Sequence, residues 1–143
     1  MGRRRLKLGD IYAIPLPDGA FAFGRLYEEY ALAIYKERTK DINILPKSLE
    51  YDFFVGVYSD LLKDGEWVVV GNIPFANDED AWTPPTFIKD PINGKFSLYH
   101  HGKITPATRE ECEGLEVASA WDRHHVIDRL MGDLELTNKL NSL

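Results

Sequence analysis

The stretch that decides the fold is residues 9–27, which read Gly-Asp-Ile-Tyr-Ala-Ile-Pro-Leu-Pro-Asp-Gly-Ala-Phe-Ala-Phe-Gly-Arg-Leu-Tyr. Two runs rich in apolar and aromatic residues, 11–16 and 20–27, flank a turn formed by Pro17, Asp18 and Gly19. Proline and glycine favour the backbone angles of a tight turn, and an aspartate side chain can bond the turn's own backbone. The stretch therefore predicts a β-hairpin and indicates a fold built from strands.

Further strand-like runs follow the hairpin along the chain. Residues 30–36, 51–58, 66–72 and 96–100 are predicted as strands, and 117–121 as a strand or extended segment. The run 51–58 is apolar on both faces, which favours a central strand. Gly24, in the middle of a strand, predicts a bulge or a close crossing. The polar segment 37–50 and the proline-rich segment 74–91 are predicted as long connections.

Short helices complete the set of predicted elements. Ser59 is expected to cap a helical turn at 59–63, Thr108 and Glu111 match a capping box, and Asp122 is expected to cap a last helix. The fold class predicted is α+β and β-rich, with a strongly bent antiparallel sheet or a partly open, SH3-like barrel and one or two C-terminal helices. We expect a single domain over residues 1–143, with a basic N-terminal tail at 1–7 and a frayed tail at 134–143.

Composition restricts the class of partner. The 143 residues are 44% hydrophobic and carry a formal net charge of −6. A nucleic-acid-binding protein needs clustered positive charge to displace counterions from phosphates, so direct binding of nucleic acid is not expected. The single cysteine, Cys112, cannot form an intrachain disulfide, which favours a reducing compartment. No run has the length of a signal peptide or membrane helix, so we expect a cytoplasmic protein.

The residues with catalytic or metal-binding potential do not form a recognisable motif. The histidines occur as adjacent pairs, 100–101 and 124–125, whose side chains should diverge on a strand or a helix. Cys112 lies among glutamates, which raise a thiol pKa, and is expected to be a core residue. His124 and Asp128 share a helix face, as a surface ion pair or an acid–base pair. We predict no catalytic residue, no metal and no cofactor.

Acidic and aromatic side chains are the remaining candidates for function. Trp67 and Trp121 lie in apolar contexts and are expected in the core. Trp82, in contrast, stands beside carboxylates in the proline-rich segment, where an exposed aromatic would anchor a basic partner, unless it folds back to cover the end of the barrel. A negative patch could hold a cationic protein surface, although charge runs are usually just solvated faces. The candidate contact residues are Asp78, Glu79, Asp80, Trp82, Glu110, Glu111, Glu113 and Glu116.

Three ordered segments carry a family resemblance. The first is the hairpin, residues 9–25, and the second contains Asp-Gly-Glu-Trp at 64–67, Val-Gly at 70–71 and Pro-Phe at 74–75. The third reads Thr-Arg-Glu-Glu-Cys-Glu-Gly-Leu-Glu at 108–116 and leads into 118–121 and Asp-Arg-Leu at 128–130. Taken together over residues 8–130, these segments resemble the bacterial immunity protein 26 family.

The resemblance implies a role in binding. Proteins of this kind are encoded beside polymorphic or contact-dependent toxins, and they bind the toxic domain and neutralise it without being enzymes. The expected partner is therefore a cognate toxin domain, with a nuclease among the candidates, and the expected state is a monomer or weak homodimer. An acidic surface suits this role because toxins that act on nucleic acid carry positive surfaces.

Two other functions stay open at this stage. The Gly-Asp-Ile opening followed by a strand with Arg25 is also similar to small barrel endoribonucleases of toxin–antitoxin systems, although such an enzyme needs a basic groove. The second alternative is a ligand-binding regulatory module that uses aromatic residues such as Phe21, Phe23 and Trp82.

Overall fold

The computed structural model describes residues 6–48 and 50–132. Two sheets and three short helices make up this part of the chain. The described residues exclude residues 1–5 of the predicted basic tail and the whole predicted frayed tail at 134–143. Leu6, which the prediction also assigns to the basic tail, is half-buried and packs against the main core. Among the described residues, no helix has both the length and the apolar character needed to cross a membrane.

The larger sheet has six strands and grows from the predicted hairpin. Its strands are β1 (Asp10–Pro15), β2 (Phe21–Tyr27), β3 (Ala31–Tyr35), β4 (Tyr51–Val57), β5 (Val68–Asn72) and β9 (Ala120–Trp121). The hairpin is confirmed: Asp18 accepts a hydrogen bond from the backbone amide of Ala20 at 2.9 Å, and Gly19 has a φ of 87°. The order of the strands across the sheet is β5-β1-β2-β3-β4-β9, and all neighbours are antiparallel except the parallel pair β4 and β9.

The smaller sheet has three antiparallel strands in the order β6-β7-β8. Its strands are β6 (Thr86–Lys89), β7 (Phe96–His100) and β8 (Lys103–Ala107). Phe87 of β6 joins this sheet to the rest of the protein, because its amide donates to the Glu116 carbonyl and its carbonyl accepts from the Ala118 amide. The small sheet is therefore held beside the segment that leads into β9.

Three short helices lie between and after the strands. They are α1 (Ser59–Lys63), α2 (Arg109–Cys112) and α3 (Arg123–Leu130). The capping box of α2 is confirmed, since the Thr108 hydroxyl accepts from the Glu111 amide and the Glu111 carboxylate accepts from the Thr108 amide. Helix α3 buries Val126 and Leu130 against the large sheet, which completes the main core with both predicted core tryptophans, Trp67 and Trp121.

The α+β, β-rich class is confirmed, and the two sheets are not closed into a barrel. At Gly24 the pairings of β2 with β1 and β3 show no register shift, and an added Cβ would lie 3.3 Å from the Leu32 Cβ of the neighbouring strand β3. The register shifts fall elsewhere: β5 has one extra residue, Val70, opposite the step from Ile11 to Tyr12, and β4 has Asp52 opposite the step from Ile34 to Tyr35.

Several predictions for individual elements are wrong. The prediction for β4 is not among them, because β4 is paired on both sides, with β3 and with the two-residue edge strand β9, and Phe54 on its outer face packs in an aromatic cluster. The segment 74–91 contains β6 and is only partly a loop, and β8 was missed because it is polar and includes Pro106. Ser59 begins α1 without capping it, and the Asp122 side chain makes no capping hydrogen bond.

A buried arginine fixes the junction between the large sheet and the segment that leads to the small one. Arg25 on β2 is 8% exposed, and its guanidinium donates to the carbonyls of Ile73 and Pro74 at 2.7–3.1 Å and to the Tyr51 hydroxyl. The same guanidinium lies 3.9 Å from the Phe75 ring centroid. Burying a guanidinium costs free energy unless its N–H donors find hydrogen-bond acceptors. Here backbone carbonyls are the main acceptors, so the chain at residues 73–74 must run past β2.

Glycine at position 9 is required at the same junction, which gives a stability prediction. Gly9 and Gly19 both have a φ of 87°, but a Cβ at Gly9 would lie 2.4 Å from the Ile73 carbonyl oxygen, whereas one at Gly19 would meet nothing within 4 Å. We expect Gly19→Ala to lower the free energy of unfolding by about 1–2 kcal/mol, from the left-handed backbone alone. Gly9→Ala should cost about 1–3 kcal/mol more, because backbone must also move.

Urea unfolding of the two variants, followed by circular dichroism, measures this difference. Equal losses for Gly9→Ala and Gly19→Ala would contradict the close approach of residue 9 to residue 73.

Candidate functional site

The acidic segment 78–80 is exposed and lies beside an aromatic pair. A 3-10 turn spans Glu79–Ala81, and the Asn77 side chain accepts from the Asp80 amide at 2.9 Å. Trp82 is half-buried, and its ring centroid lies 4.0 Å from that of His101. The Glu79 carboxylate lies 3.3 Å from Nε2 of His101. The structure therefore places Glu79 and Trp82 against the same histidine, at the turn between β7 and β8.

The second acidic group, around α2, divides by its contacts. Glu110, Glu111 and Glu113 are exposed, although Glu111 is already used as the capping residue of its helix. Glu116 is half-buried and forms a two-pronged ion pair with Arg129, whose two terminal nitrogens each contact one carboxylate oxygen. Its charge is therefore balanced within the protein, unlike the exposed carboxylates of the group.

A groove between the two sheets lies beside the acidic segment 78–80. Its volume is about 320 Å³. Residues 54–56 of β4 and 117–119 line one side, and side chains of the small sheet, among them Ile88, Tyr99 and Ile104, line the other. Trp82 and Trp121 also line it, so its walls are mostly apolar and aromatic. A concave, apolar space with a few polar groups at its edge is the usual form of a binding site.

Two carboxylates, Glu28 and Glu29, lie at one end of this groove. They belong to the 3-10 turn Glu28–Tyr30 between β2 and β3. The Tyr99 hydroxyl donates a short hydrogen bond to the Glu29 carboxylate and so links this turn to the small sheet. This hydrogen bond, followed by burial, raises the pKa of Tyr99 above its usual value.

The backbone at this end of the groove is strained. Among the described residues, positive φ at a non-glycine occurs at Glu29, Tyr30 and His101, with φ of 57–59°. Glu29 and His101 line the groove, and Tyr30 directly follows Glu29. Such conformations cost free energy and tend to cluster where a site holds side chains in set positions.

Arg129 forms the other charged part of the groove lining. Its guanidinium lies 3.8 Å from the Phe53 ring centroid and 5.2 Å from that of Trp121, while it pairs with Glu116. Stacking on aromatic rings and a two-pronged carboxylate contact are the interactions that guanidinium makes best. The pair thus connects α3, strand β4 and the segment before β9.

The structure brings only some of the predicted contact residues together. Trp82 and Glu116 line the groove, and Glu79 contacts its edge through His101. Asp78 and Asp80 flank Glu79 in sequence, whereas Glu110, Glu111 and Glu113 do not line the groove. Glu28, Glu29 and Tyr99 are not among the contact residues predicted from the sequence. The adjacent glutamates between two strands were visible in the sequence, but their approach to Tyr99 depends on the packing of the small sheet.

The residues considered for catalysis or metal binding, Cys112 and the second histidine pair, lie in different surroundings. Cys112 is fully buried, as predicted, and burial, with a smaller effect of Glu111, raises the pKa of its thiol. The predicted divergence of the second histidine pair is wrong, because the ring centroids of His124 and His125 are 4.2 Å apart. Asp122, His124 and His125 each offer one possible metal-ligating atom, all within 4.8 Å of one another. This group is largely exposed at the start of α3, where the positive end of the helix dipole opposes a cation.

A comparison with known families identifies the chain. A model of the family described as Immunity protein 26 matches residues 7–98, well over half of the sequence. The matched span includes both strands of the hairpin, segment 78–80 and Trp82, and it ends before α2 and α3. Comparisons with curated proteins and with solved structures gave no match. The chain therefore belongs to the immunity protein 26 family.

The Tyr99–Glu29 hydrogen bond can be tested by titration. We expect Glu29→Gln to lower the raised pKa of Tyr99 toward the usual value of about 10, because the charged acceptor is lost. Since the folded-state pKa is the higher one, this contribution to stability is present below about pH 10 and is lost as the pH rises through the folded-state pKa. NMR of the tyrosine rings measures the titration. Glu28→Gln is the matched control and should leave Tyr99 much closer to wild type.

The Arg129 contacts predict a specific requirement for arginine. We expect Arg129→Lys to lower the free energy of unfolding by about 1–3 kcal/mol, because lysine retains the charge but loses the stacking and the second carboxylate contact. Arg123, which pairs with the more exposed Asp64 and Glu66, provides the comparison. Arg123→Lys should cost less than about 1 kcal/mol. Equal losses in urea unfolding would contradict a special role for the partly buried pair.

Proposed function

We propose that this member of the immunity protein 26 family binds the toxic domain of a cognate bacterial toxin and neutralises it without catalysing a reaction. Membership of an immunity protein family carries the immunity function. The observation that carries the mode of action is the exposed carboxylate segment 78–80 beside Trp82 and the groove, inside the matched residues. It offers charge and an aromatic anchor on one side of the protein, as an interface with a basic partner requires.

The proposed contact residues fall into two patches. The first contains Asp78, Glu79, Asp80 and Trp82, and we assign to it the main contact with the toxin. The second contains Glu110, Glu111 and Glu113 on and after α2, and we assign to it a role in attracting the toxin over distance. Glu116 contributes indirectly, because its carboxylate already pairs with Arg129.

The contacts of Arg25 favour inhibition over the endoribonuclease alternative. An RNA-cleaving barrel would need this arginine to face a substrate, whereas the guanidinium is 8% exposed and bonds two backbone carbonyls and a tyrosine hydroxyl. The net charge of −6 also opposes approach of RNA. Both observations support a partner that is a positively charged protein.

Because the chain has one cysteine and it is buried, we further propose that it acts in the reducing cytoplasm of the producing cell. There it would meet a toxin before or after delivery. We expect it to act as a monomer or weak homodimer.

Charge neutralisation in the first patch tests the proposal. The cognate toxin, taken from the neighbouring gene and disabled in its active site, is titrated with the purified chain by calorimetry. We expect a stable complex with the wild type, and roughly fivefold to thirtyfold weaker binding for Asp78→Asn combined with Asp80→Asn at low salt, with a smaller loss at high salt. Growth of cells producing the active toxin should show the same order of protection.

The matched control is Glu50→Gln combined with Asp52→Asn, which also removes two exposed carboxylates, neither of them among the residues of the two patches. It should bind within about twofold of wild type. If the wild type forms no complex and gives no protection, the proposed function is wrong. If the two double variants weaken binding equally, the assignment of the first patch is wrong.

A further inference from the structure

We infer that the groove between the two sheets receives one arginine side chain of the toxin, an inference that rests on the proposed function and specifies its chemistry. The groove is lined by aromatic and aliphatic side chains, and carboxylates stand at its end. The occupant must therefore combine apolar or planar surface with positive charge. An arginine side chain has both in one residue.

The size of the groove suits one or two side chains. Its volume of about 320 Å³ lies at the small end of the range of roughly 300–1,000 Å³ that holds ligands in proteins. A helix, about 10 Å or more across with its side chains, needs a longer and wider channel. The groove therefore selects an inserted side chain from a partner whose main body rests on the surface outside.

The charges of the lining favour a cation. The groove lining contains three glutamates, Glu28, Glu29 and Glu116, but a single arginine, Arg129. Arg129 is already paired with Glu116, so the acidic end at Glu28 and Glu29 is left without a balancing cation in the groove lining. Glu79 adds a further carboxylate at the edge, beside His101. An incoming guanidinium would be attracted to this end.

The aromatic lining favours arginine over lysine. Phe54, Trp82, Tyr99 and Trp121 all line the groove, and a planar, weakly hydrated guanidinium can lie flat on an aromatic ring, whereas a compact ammonium is more strongly hydrated and is found over aromatic rings less often. Among the described residues, the closest cation–aromatic contacts are made by arginines, with Arg25 at 3.9 Å from the Phe75 centroid and Arg129 at 3.8 Å from that of Phe53, whereas Lys89 lies 5.9 Å from that of Phe96. The same chemistry is thus available to an arginine from outside.

The acidic end is held in position before any partner arrives. Glu29 has a φ of 59°, and Tyr99 bonds its carboxylate across the groove. Gly102, in the opposite turn, approaches the Glu29 carboxylate closely enough that an added Cβ would lie 3.8 Å from it. Fixing a carboxylate in advance reduces the entropy lost when a partner binds. This accounts for strained backbone on both sides of the groove end.

Double-mutant cycles between the two proteins test the inference. Each surface arginine of the disabled toxin is replaced by alanine in turn, and its binding to wild type and to Glu28→Gln combined with Glu29→Gln is measured by calorimetry. We expect one toxin arginine whose loss weakens binding to wild type roughly tenfold or more but weakens binding to the double variant by less than about threefold. Replacing that arginine with lysine should restore only part of the affinity.

The control is again Glu50→Gln combined with Asp52→Asn, against which the same arginine should keep its full effect. Thermal melting of each variant before titration establishes that it is folded. If the wild type binds the toxin but no arginine loses its effect in the Glu28, Glu29 variant, the groove assignment is overturned and the proposed function stands. If the wild type does not bind the toxin at all, both are overturned.

Discussion

The buried guanidinium of Arg25 is the interaction on which the arrangement of the molecule depends. A charge 8% exposed is tolerated only when its donors are satisfied, and these donors are satisfied by the carbonyls of residues 73 and 74. The chain leaving β5 must therefore run past β2, where Gly9 leaves room for it. Phe75 then stacks on the guanidinium and joins the aromatic cluster of Tyr27, Tyr51 and Phe54. From this fixed point the chain continues to the segment 78–80 and the small sheet.

The groove is a consequence of how the small sheet is attached. Two backbone hydrogen bonds of Phe87 tie it to residues 116 and 118, and the Tyr99–Glu29 bond ties it to the turn after β2. Within residues 6–48 and 50–132, no strand of the small sheet pairs with a strand of the large one, and a groove lies between the two sheets. Because β4 ends near the sheet edge beside the two-residue strand β9, residues 54–56 are available to line that space.

The carboxylates serve two separate physical roles. Glu111 and Glu116 satisfy a helix start and a partly buried arginine, so they stabilise the fold. Asp78, Asp80, Glu110 and Glu113 are exposed and contribute mainly to the field around the protein. Exposed charges cost little to keep in water and act over about a Debye length, which suits capture of a basic protein at speed. Glu29, whose backbone is strained, belongs to both groups, because its carboxylate accepts a hydrogen bond from Tyr99 and the residue also lines the groove.

Local chemistry in the sequence determined the hairpin, the capping box, the buried cysteine and tryptophans, and the family, because each depends on residues close together in the chain. The strand β8 and the near-edge position of β4 were decided by tertiary packing. The same holds for the groove between the two sheets. Glu29 and Tyr99, whose side chains are hydrogen-bonded, are 70 residues apart in the sequence. Only the packing of the small sheet brings Tyr99 to the acidic pair at 28–29. The hydrophobic period of a sequence segment indicates the type of that one element. A groove between two sheets depends on the free energy of packing the two sheets together, and that free energy involves residues from distant parts of the chain.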